Sequence, residues 1–161
     1  MTSPAASPAF TIRETDPADL EEILLHRRLM FYDMGYRDDS VLDRMVNSSR
    51  PCIERYLANQ TYRGWFAIAR DARVAAGVGL LISDLVSGPL SPEQTRRPYL
   101  LNVYTYPEFR KQSLARRLTE KAIDWCRRDG FKVLWLHASE YGRPLYESLG
   151  FIATNEMKLM L

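Results

Sequence analysis

The stretch that most constrains the fold of this chain lies at residues 99–130. Residues 99–106 are rich in β-branched and aromatic side chains, which predicts a strand. A basic polar loop follows at residues 110–112, and then a long amphipathic helix. Ser113 is a natural N-cap and Gly130 a natural stop, so we expect the helix between them.

The loop places two cations, Arg110 and Lys111, at the start of the predicted helix. The first N–H groups of a helix have no partner within it, and the helix dipole is positive at this end, so a phosphate binds there favourably. Many surface helices nevertheless begin with basic residues and bind nothing. From these residues alone, an anion site and an ordinary basic helix start stay equal alternatives.

The composition is that of an ordinary globular protein, because 46% of the residues are hydrophobic and 26% are charged. The length predicts one domain, which we place at residues 10–161, with residues 1–9 as a disordered N-terminal tail. The formal net charge of +2 is too small to indicate a nucleic-acid partner. An anionic cofactor explains the central cluster of arginine and lysine more simply.

The sequence lacks the features of secretion and membrane insertion. No signal peptide is recognisable and no apolar run could span a bilayer, so we expect no membrane partner. Cys52 and Cys126 lie far apart without a paired motif, as is typical of buried thiols in a reducing compartment. No ligand pair has zinc spacing, so no metal site is predicted. The expected location is cytoplasmic.

Hydrophobic periodicity and turn residues predict the other elements. A helix runs from Asp16 to Gly35, and residues 27–34 carry more large side chains than one face can bury, so some of them line a cavity. The remaining predictions begin with a first strand at residues 10–14, a helix at 41–58 interrupted around 47–51, and a hairpin of strands 65–70 and 73–85 that turns at Asp71 and Ala72. Gly77 and Gly79 of this hairpin mark bulges or points of close approach. After it we expect a surface loop at 86–98, a buried strand at 132–137, a helix at 143–149 with Phe151 folding back on Leu145 or Leu149, and a last strand at 157–161 that closes the sheet. Hairpin strands followed by a strand–helix–strand unit predict an α/β fold, a mixed sheet with helices on both faces.

Two segments carry motifs. The segment RKQSLA at residues 110–115, which follows Val103-Tyr104-Thr105 and Pro107, is similar to motif A (Q/R-x-x-G-x-G/A) of the GNAT family, the GCN5-related N-acetyltransferases. Arg110 and Ala115 match the outer positions, whereas Ser113 replaces the first glycine. The segment LYESLGF at residues 145–151 resembles motif B of the same family, L-Y-x-x-x-G-F. The two motifs occur in the family's order and spacing.

The resemblance implies a GNAT-like acyl-CoA N-acyltransferase fold, with a central mixed β-sheet flanked by helices on both faces. It implies that the acetyl group of acetyl-CoA, the co-substrate, passes by direct attack to a primary amine of an unknown small molecule or peptide. Tyr146 would protonate the departing CoA thiolate, and a phenol suits this role because its pKa of about 10 keeps it protonated at neutral pH. Without the motif, Tyr146 would be interpreted as an aromatic residue packed at a helix edge.

The resemblance also implies which residues bind acetyl-CoA. A backbone N–H of residues 103–105 would polarise the thioester carbonyl, and the same strand edge would pair with the pantetheine amides. Ser139, seven residues before the tyrosine, stands where relatives often have asparagine. The implied cofactor-binding residues are Val103, Tyr104, Thr105, Arg110, Lys111, Gln112, Ser113, Leu114, Ala115 and Ser139.

The general base is left open. Many relatives have a glutamate on the central strand, but residues 99–106 contain no carboxylate. The alternatives are water held by Asn102 or Tyr104, or the carboxylate of Asp33 or Glu140.

Other functions stay open as well. Ser113, Ser139 and the missing carboxylate motivate a non-catalytic acyl-CoA-binding sensor or scaffold module. A nucleic-acid binder is disfavoured because the aromatic residues form no stacking pattern. Homodimer formation is left open. A group of aromatic and acidic residues hints at a cationic amine as acceptor; it consists of Tyr32, Asp33, Tyr36, Asp38 and Asp39.

Overall fold

The computed structural model describes residues 9–161, and in it five strands form one open sheet in the order β1-β2-β3-β4-β5. Neighbouring strands are antiparallel except β4 and β5, which are parallel. The strands are β1 (Phe10–Glu14), β2 (Tyr62–Ala69), β3 (Val74–Asp84), β4 (Arg96–Thr105) and β5 (Trp135–Leu136). The helices are α1 (Leu20–Asp33), α2 (Asp39–Ala58), α3 (Leu114–Arg128) and α4 (Arg143–Ser148). The predicted α/β fold with a mixed sheet is confirmed.

Side chains of β2 alternate between two hydrophobic cores. Trp65 and Ala67 belong to a core that contains the buried side chains of α3, whereas Phe66 belongs to a core that contains those of α1 and α2. Successive side chains of a strand point to opposite faces of a sheet. Helices therefore cover both faces, as predicted.

Glycines of β3 leave room for side chains of α1 and of the neighbouring strand β2. A Cβ on Gly77 would lie 2.6 Å from Nδ1 of His26 and 2.8 Å from the ring of Phe66, and one on Gly79 would lie 2.2 Å from the hydroxyl of Tyr62. These distances are far below van der Waals contact, so only glycine fits. The predicted close approach at both glycines is confirmed.

Strand β4 is bulged in its middle. Gly79 pairs with Leu101 and Gly77 with Tyr104, so that Asn102 and Val103 together face the single residue between the two glycines. Asn102 is left-handed, with a φ of 53°. The parallel partner β5 pairs with β4 only at Tyr99 and Leu100. Beyond Leu100, this edge of β4 therefore has no strand neighbour within residues 9–161.

Helix α2 corrects one prediction. It continues from Asp39 to Ala58 without the interruption expected around residues 47–51, and Pro51 lies inside it. A proline removes a backbone donor and disfavours a continuous helix. The apolar face of α2 nevertheless buries Leu42, Ile53 and Leu57, and this packing outweighs the local cost.

The C-terminal part of the chain corrects others. The strand expected at residues 132–137 shrinks to Trp135–Leu136, and residues 157–161 form no strand and leave Met157, Leu159 and Met160 exposed. An edge of two residues offers too few hydrogen bonds to recruit a further strand. Phe151 folds back on α4, where its ring lies 5.8 Å from that of Tyr146 between centroids, and the contact with Leu145 or Leu149 stays a prediction.

Other boundaries shift slightly. The surface loop expected at residues 86–98 ends earlier because β4 begins at Arg96, and α4 ends one residue early at Ser148. The predicted tail of residues 1–9 lies almost wholly outside the described residues, so this prediction and that of a single domain stay predictions. Within residues 9–161, no helix is long and apolar enough to cross a membrane.

Candidate active site

A cleft of about 1080 Å³ lies where β4 loses its neighbour. It is lined by the C-terminal half of α1, residues 99–105 of β4, the loop before α3, the first turn of α3, and the segment from His137 to Tyr146. The structure brings all the predicted site residues except Gln112 to this one cleft; Gln112 is exposed in the same loop. Ligands of open α/β sheets commonly bind at the carboxyl ends of parallel strands, where this cleft lies.

The loop before α3 has an unusual backbone. Lys111 and Ser113 both have left-handed φ values, 61° and 58°. Alternation of this kind turns N–H groups into a concave arrangement that suits anions, next to the free N–H groups of α3. Ser113 occupies the N-cap position, as predicted, but its side chain makes no capping hydrogen bond because an effective N-cap needs an extended backbone. The glycine that the family has at this position avoids the strain of a Cβ.

Positive side chains surround this loop. Arg110 donates from Nε to the carbonyl oxygen of Thr105 at 3.1 Å and forms an ion pair with Asp33 at the end of α1. Lys111 and Arg116 also line the cleft. Arg116 donates to the hydroxyl of Ser148 at 2.5 Å, which joins the start of α3 to α4. This end of the cleft is electropositive, as an anionic ligand requires.

Tyr146 faces the same cleft from α4. Its side chain is 9% exposed, and its ring packs edge to face against Phe151. Burial raises the pKa of the phenol to about 12, because ionisation would place a charge in an apolar environment. Ser139 lies just before this helix, where its hydroxyl oxygen accepts from the N–H of Gly142 at 3.1 Å. Ser139 therefore has a structural role as well as a place in the cleft.

Comparison with known proteins decides the family. Residues 25–151 match the model of the Acetyltransferase (GNAT) family. A crystal structure of a GCN5-related N-acetyltransferase from Ralstonia eutropha JMP134 is 32% identical, with a TM-score of 0.89 over 94% of this chain and 98% of that one. The chain belongs to the GNAT family. It is therefore an acyltransferase.

More distant GNAT structures share the fold. A predicted acetyltransferase from Clostridium acetobutylicum, solved with acetyl-CoA, is 22% identical, with a TM-score of 0.83 over 94% of this chain and 96% of that one. The aminoglycoside N-acetyltransferase AAC(6')-Iy, in complex with CoA, is 18% identical, with a TM-score of 0.68 over 99% and 98%. None of the curated proteins matches the sequence significantly.

The other end of this GNAT cleft is formed by α1. Arg27, Met30, Phe31 and Met34 line it, which confirms that part of residues 27–34 lines a cavity. Arg27 donates to Oδ1 of Asn102 at 3.1 Å, and Nδ2 of Asn102 donates to the hydroxyl of Tyr62 at 3.3 Å. This chain of contacts ties α1 to the bulge of β4.

The acidic residues that hinted at a cationic acceptor already have hydrogen-bond or ion-pair partners within the protein. Asp33 is paired with Arg110, Asp38 accepts from the N–H of Val41 at 3.1 Å, and Asp39 accepts from Arg28 at 2.6 Å. Among the described residues that line the cleft, Asp33 carries the sole carboxylate. The described lining of the cleft therefore offers no unpaired carboxylate to a cationic amine.

The candidates for the general base also change. Glu140 is exposed and outside the cleft, Asp33 is paired, and both ends of the Asn102 amide are used. The sequence reasoning missed Tyr99 and His137, which both line the cleft and contact each other through the Tyr99 hydroxyl and Nδ1 of His137. The predicted pairing of two parallel strands could have brought them together, because Tyr99 pairs with Trp135 and His137 follows two residues later.

Proposed function

We propose that this GNAT protein transfers the acetyl group of acetyl-CoA to a primary amine by direct attack, with Tyr146 as general acid. The observation that carries the proposal is that the unpaired edge of β4, the left-handed loop before α3 and the phenol of Tyr146 all face one cleft. The structures of the Clostridium protein with acetyl-CoA and of AAC(6')-Iy with CoA support the choice of co-substrate, since both share the fold.

Each part of acetyl-CoA has a complementary surface in this proposal. The pyrophosphate binds the N–H groups of residues 111–115, assisted by Lys111 and Arg116. The pantetheine amides add along the open edge of β4 at Val103 and Thr105, as a peptide adds to a sheet edge. The thioester then lies beside the bulge, where a backbone N–H of residues 103–105 stabilises negative charge on the carbonyl oxygen.

The chemistry divides into two proton transfers. The neutral amine attacks the thioester carbon, and the tetrahedral intermediate collapses with cleavage of the C–S bond. Tyr146 donates its proton to the sulfur as this bond breaks, so that CoA leaves as a neutral thiol. The phenolate of Tyr146 then takes up a proton from solvent, and the proton of the amine leaves by a separate route.

We propose a relay of Tyr99, His137 and Glu156 for removal of the proton from the amine. The hydroxyl of Tyr99 contacts Nδ1 of His137, and Nε2 of His137 lies 3.7 Å from the carboxylate of Glu156. The Tyr99 oxygen accepts the proton while its own proton moves to Nδ1. The imidazolium that forms is stabilised by the carboxylate of Glu156.

The test is release of thiol from acetyl-CoA with a panel of amines. Tyr146→Phe should lower kcat by about tenfold to ten-thousandfold while acetyl-CoA binding stays intact. Tyr141→Phe is the matched control, because Tyr141 also lines the cleft but is 88% exposed. Tight binding of acetyl-CoA without turnover of any amine would instead establish the sensor or scaffold function. Equal kcat in the wild type and Tyr146→Phe would exclude Tyr146 as the acid.

The variant His137→Gln tests the proposed relay independently of the general acid Tyr146. We expect kcat at neutral pH to fall and the loss to diminish at alkaline pH, where the free amine is already neutral. A uniform loss at every pH would contradict the relay.

A further inference from the structure

Arg27 is a cation in the cleft without a carboxylate partner. Its guanidinium donates from one nitrogen to Asn102 and lies over the ring of Phe31 at 5.1 Å, and no acidic side chain of residues 9–161 pairs with it. The other arginines of the cleft differ. Arg110 is paired with Asp33, and Arg116 lies 3.7 Å from Glu120.

Burial makes this arrangement costly in the empty protein. It lowers the pKa of Arg27, and Nε is buried without a hydrogen-bond partner. Arginine keeps its charge in proteins, so the cost is not relieved by loss of a proton. Asn102 uses one terminal nitrogen of the guanidinium, and a partly desolvated cation binds an anion strongly at its remaining terminal donors because the anion compensates the charge.

The position of Arg27 separates it from the proposed phosphate end of the cleft. Its guanidinium lies over the ring of Phe31, and Met30 and Leu101 also line the cleft, whereas Lys111 and Arg116 lie at the start of α3. Asn102, which holds Arg27, is the left-handed residue of the bulge and directly precedes Val103. An anion on Arg27 would thus lie beside the edge at which we place the thioester.

We propose that Arg27 binds a carboxylate of the acyl acceptor, so that the substrate is an amine which also carries a carboxylate, such as an amino acid or a peptide with a free C-terminus. This assignment rests on the proposed acetyl transfer. A planar guanidinium matches a carboxylate with two parallel donors. The carboxylate anchors the acceptor at the bulge, and the flanking apolar residues of α1 contact its side chain.

The experiment compares acceptors that differ only in the carboxylate. Thiol release from acetyl-CoA is measured with the standard amino acids and short peptides, each against its carboxamide, together with an aminoglycoside and an amino sugar phosphate. We expect the best acceptor to be a carboxylate, with kcat/KM about tenfold or more above that of its amide. A preference for amides or for the aminoglycoside overturns the inference but leaves acetyl transfer standing, and a preference for the sugar phosphate overturns the carboxylate assignment.

Variants of Arg27 test whether this residue causes the preference for the carboxylate over its amide. Arg27→Met keeps an apolar stem and should raise KM for the acid about tenfold or more without changing KM for the amide, whereas Arg27→Lys should restore part of the preference. Arg28→Met is the matched control, since Arg28 is the next residue of α1 but pairs with Asp39 and Asp43 outside the cleft. Equal losses for acid and amide would assign Arg27 a structural role only.

Two further outcomes are informative. If Arg27→Met does not fold, the comparison of acids with amides on the wild type still decides the inference. If acetyl-CoA binds but no acceptor of the panel releases thiol, the proposed function fails and this inference fails with it.

Discussion

Tyr146 is held in α4 with its ring against Phe151, and burial raises the pKa of its phenol to about 12. In the proposed acetyl transfer, the protonated phenol is the form that donates to sulfur. A raised pKa keeps this form present as the pH rises, and it is lost only as the pH approaches 12. The direction of the shift therefore favours catalysis in the alkaline range, where amines are neutral and nucleophilic.

We expect kcat to show no decline from ionisation of Tyr146 below about pH 10. The rise of kcat from acidic pH reports deprotonation of the acceptor amine. The measurement is kcat against pH for the wild type and Tyr146→Phe at saturating acetyl-CoA. A decline below pH 10 that disappears in Tyr146→Phe would contradict the assignment.

Ser113 stores backbone strain at the start of α3. Its φ is 58° and its hydroxyl makes no capping bond that would offset the strain. Ser113→Gly should raise the free energy of unfolding by about 1 kcal/mol, because the left-handed region costs an L-residue about this much. Denaturant unfolding measures the change, and binding of acetyl-CoA is measured in parallel.

Gln112→Gly is the control for this prediction. Gln112 lies in the same loop but is not among the described residues with positive φ, so glycine should lower stability there through greater unfolded-state entropy. Destabilisation by Ser113→Gly would show that the serine side chain makes a compensating contact.

The close contact between β3 and α1 positions the cleft. Gly77 faces His26 and Phe66, which are 1% and 2% exposed and cannot move aside. The helix that carries Arg27 can approach the sheet only because residue 77 has no side chain. Helix placement and the geometry of the acceptor end are thus linked.

Gly77→Ala should lower the free energy of unfolding by about 1–3 kcal/mol, since a methyl group would overpack this contact. Gly88→Ala is the matched control, because a Cβ at Gly88 meets nothing within 4 Å. Both variants are compared by thermal and denaturant unfolding. Equal stability of the two would mean that α1 can shift away from the sheet without cost.

The sheet ends at β5. Residues 151–161 adopt no regular structure, and Ile152, Met157 and Leu161 are exposed. Glu156 is also exposed, but its carboxylate lies 3.7 Å from Arg97 and 3.7 Å from His137. The C-terminal segment therefore reaches His137 of the cleft lining through one side chain and buries little apolar area.

Removal of residues 157–161 should change the free energy of unfolding by less than about 0.5 kcal/mol, because the deleted side chains are exposed. Removal of residues 156–161 should leave stability similar but lower kcat at neutral pH, since the relay loses Glu156. Unfolding curves and thiol release measure the two effects. A large loss of stability on removal of residues 157–161 would show that the tail packs against the protein in solution.

Local signals were sufficient for elements whose burial follows from their own sequence. The strand before Pro107, the helix that ends before Gly130 and the hairpin at Ala72 were predictable because turn residues and periodicity agree there. The interruption of α2 at Pro51 was predicted wrongly, because packing of its apolar face overrides a local penalty. The final strand was predicted wrongly because its formation depends on an edge that β5 does not provide.

Short-range periodicity specified the mixed sheet, and the resemblance of the two motifs to those of the GNAT family identified the residues that face the proposed acetyl-CoA site. Packing between distant elements decided that Arg27 has no acidic partner within residues 9–161, that Tyr99 contacts His137, and that Arg110 pairs with Asp33. These contacts join residues that are far apart in sequence, and no local preference specifies them. They depend on how α1 packs on β4 and on the point at which β4 and β5 separate.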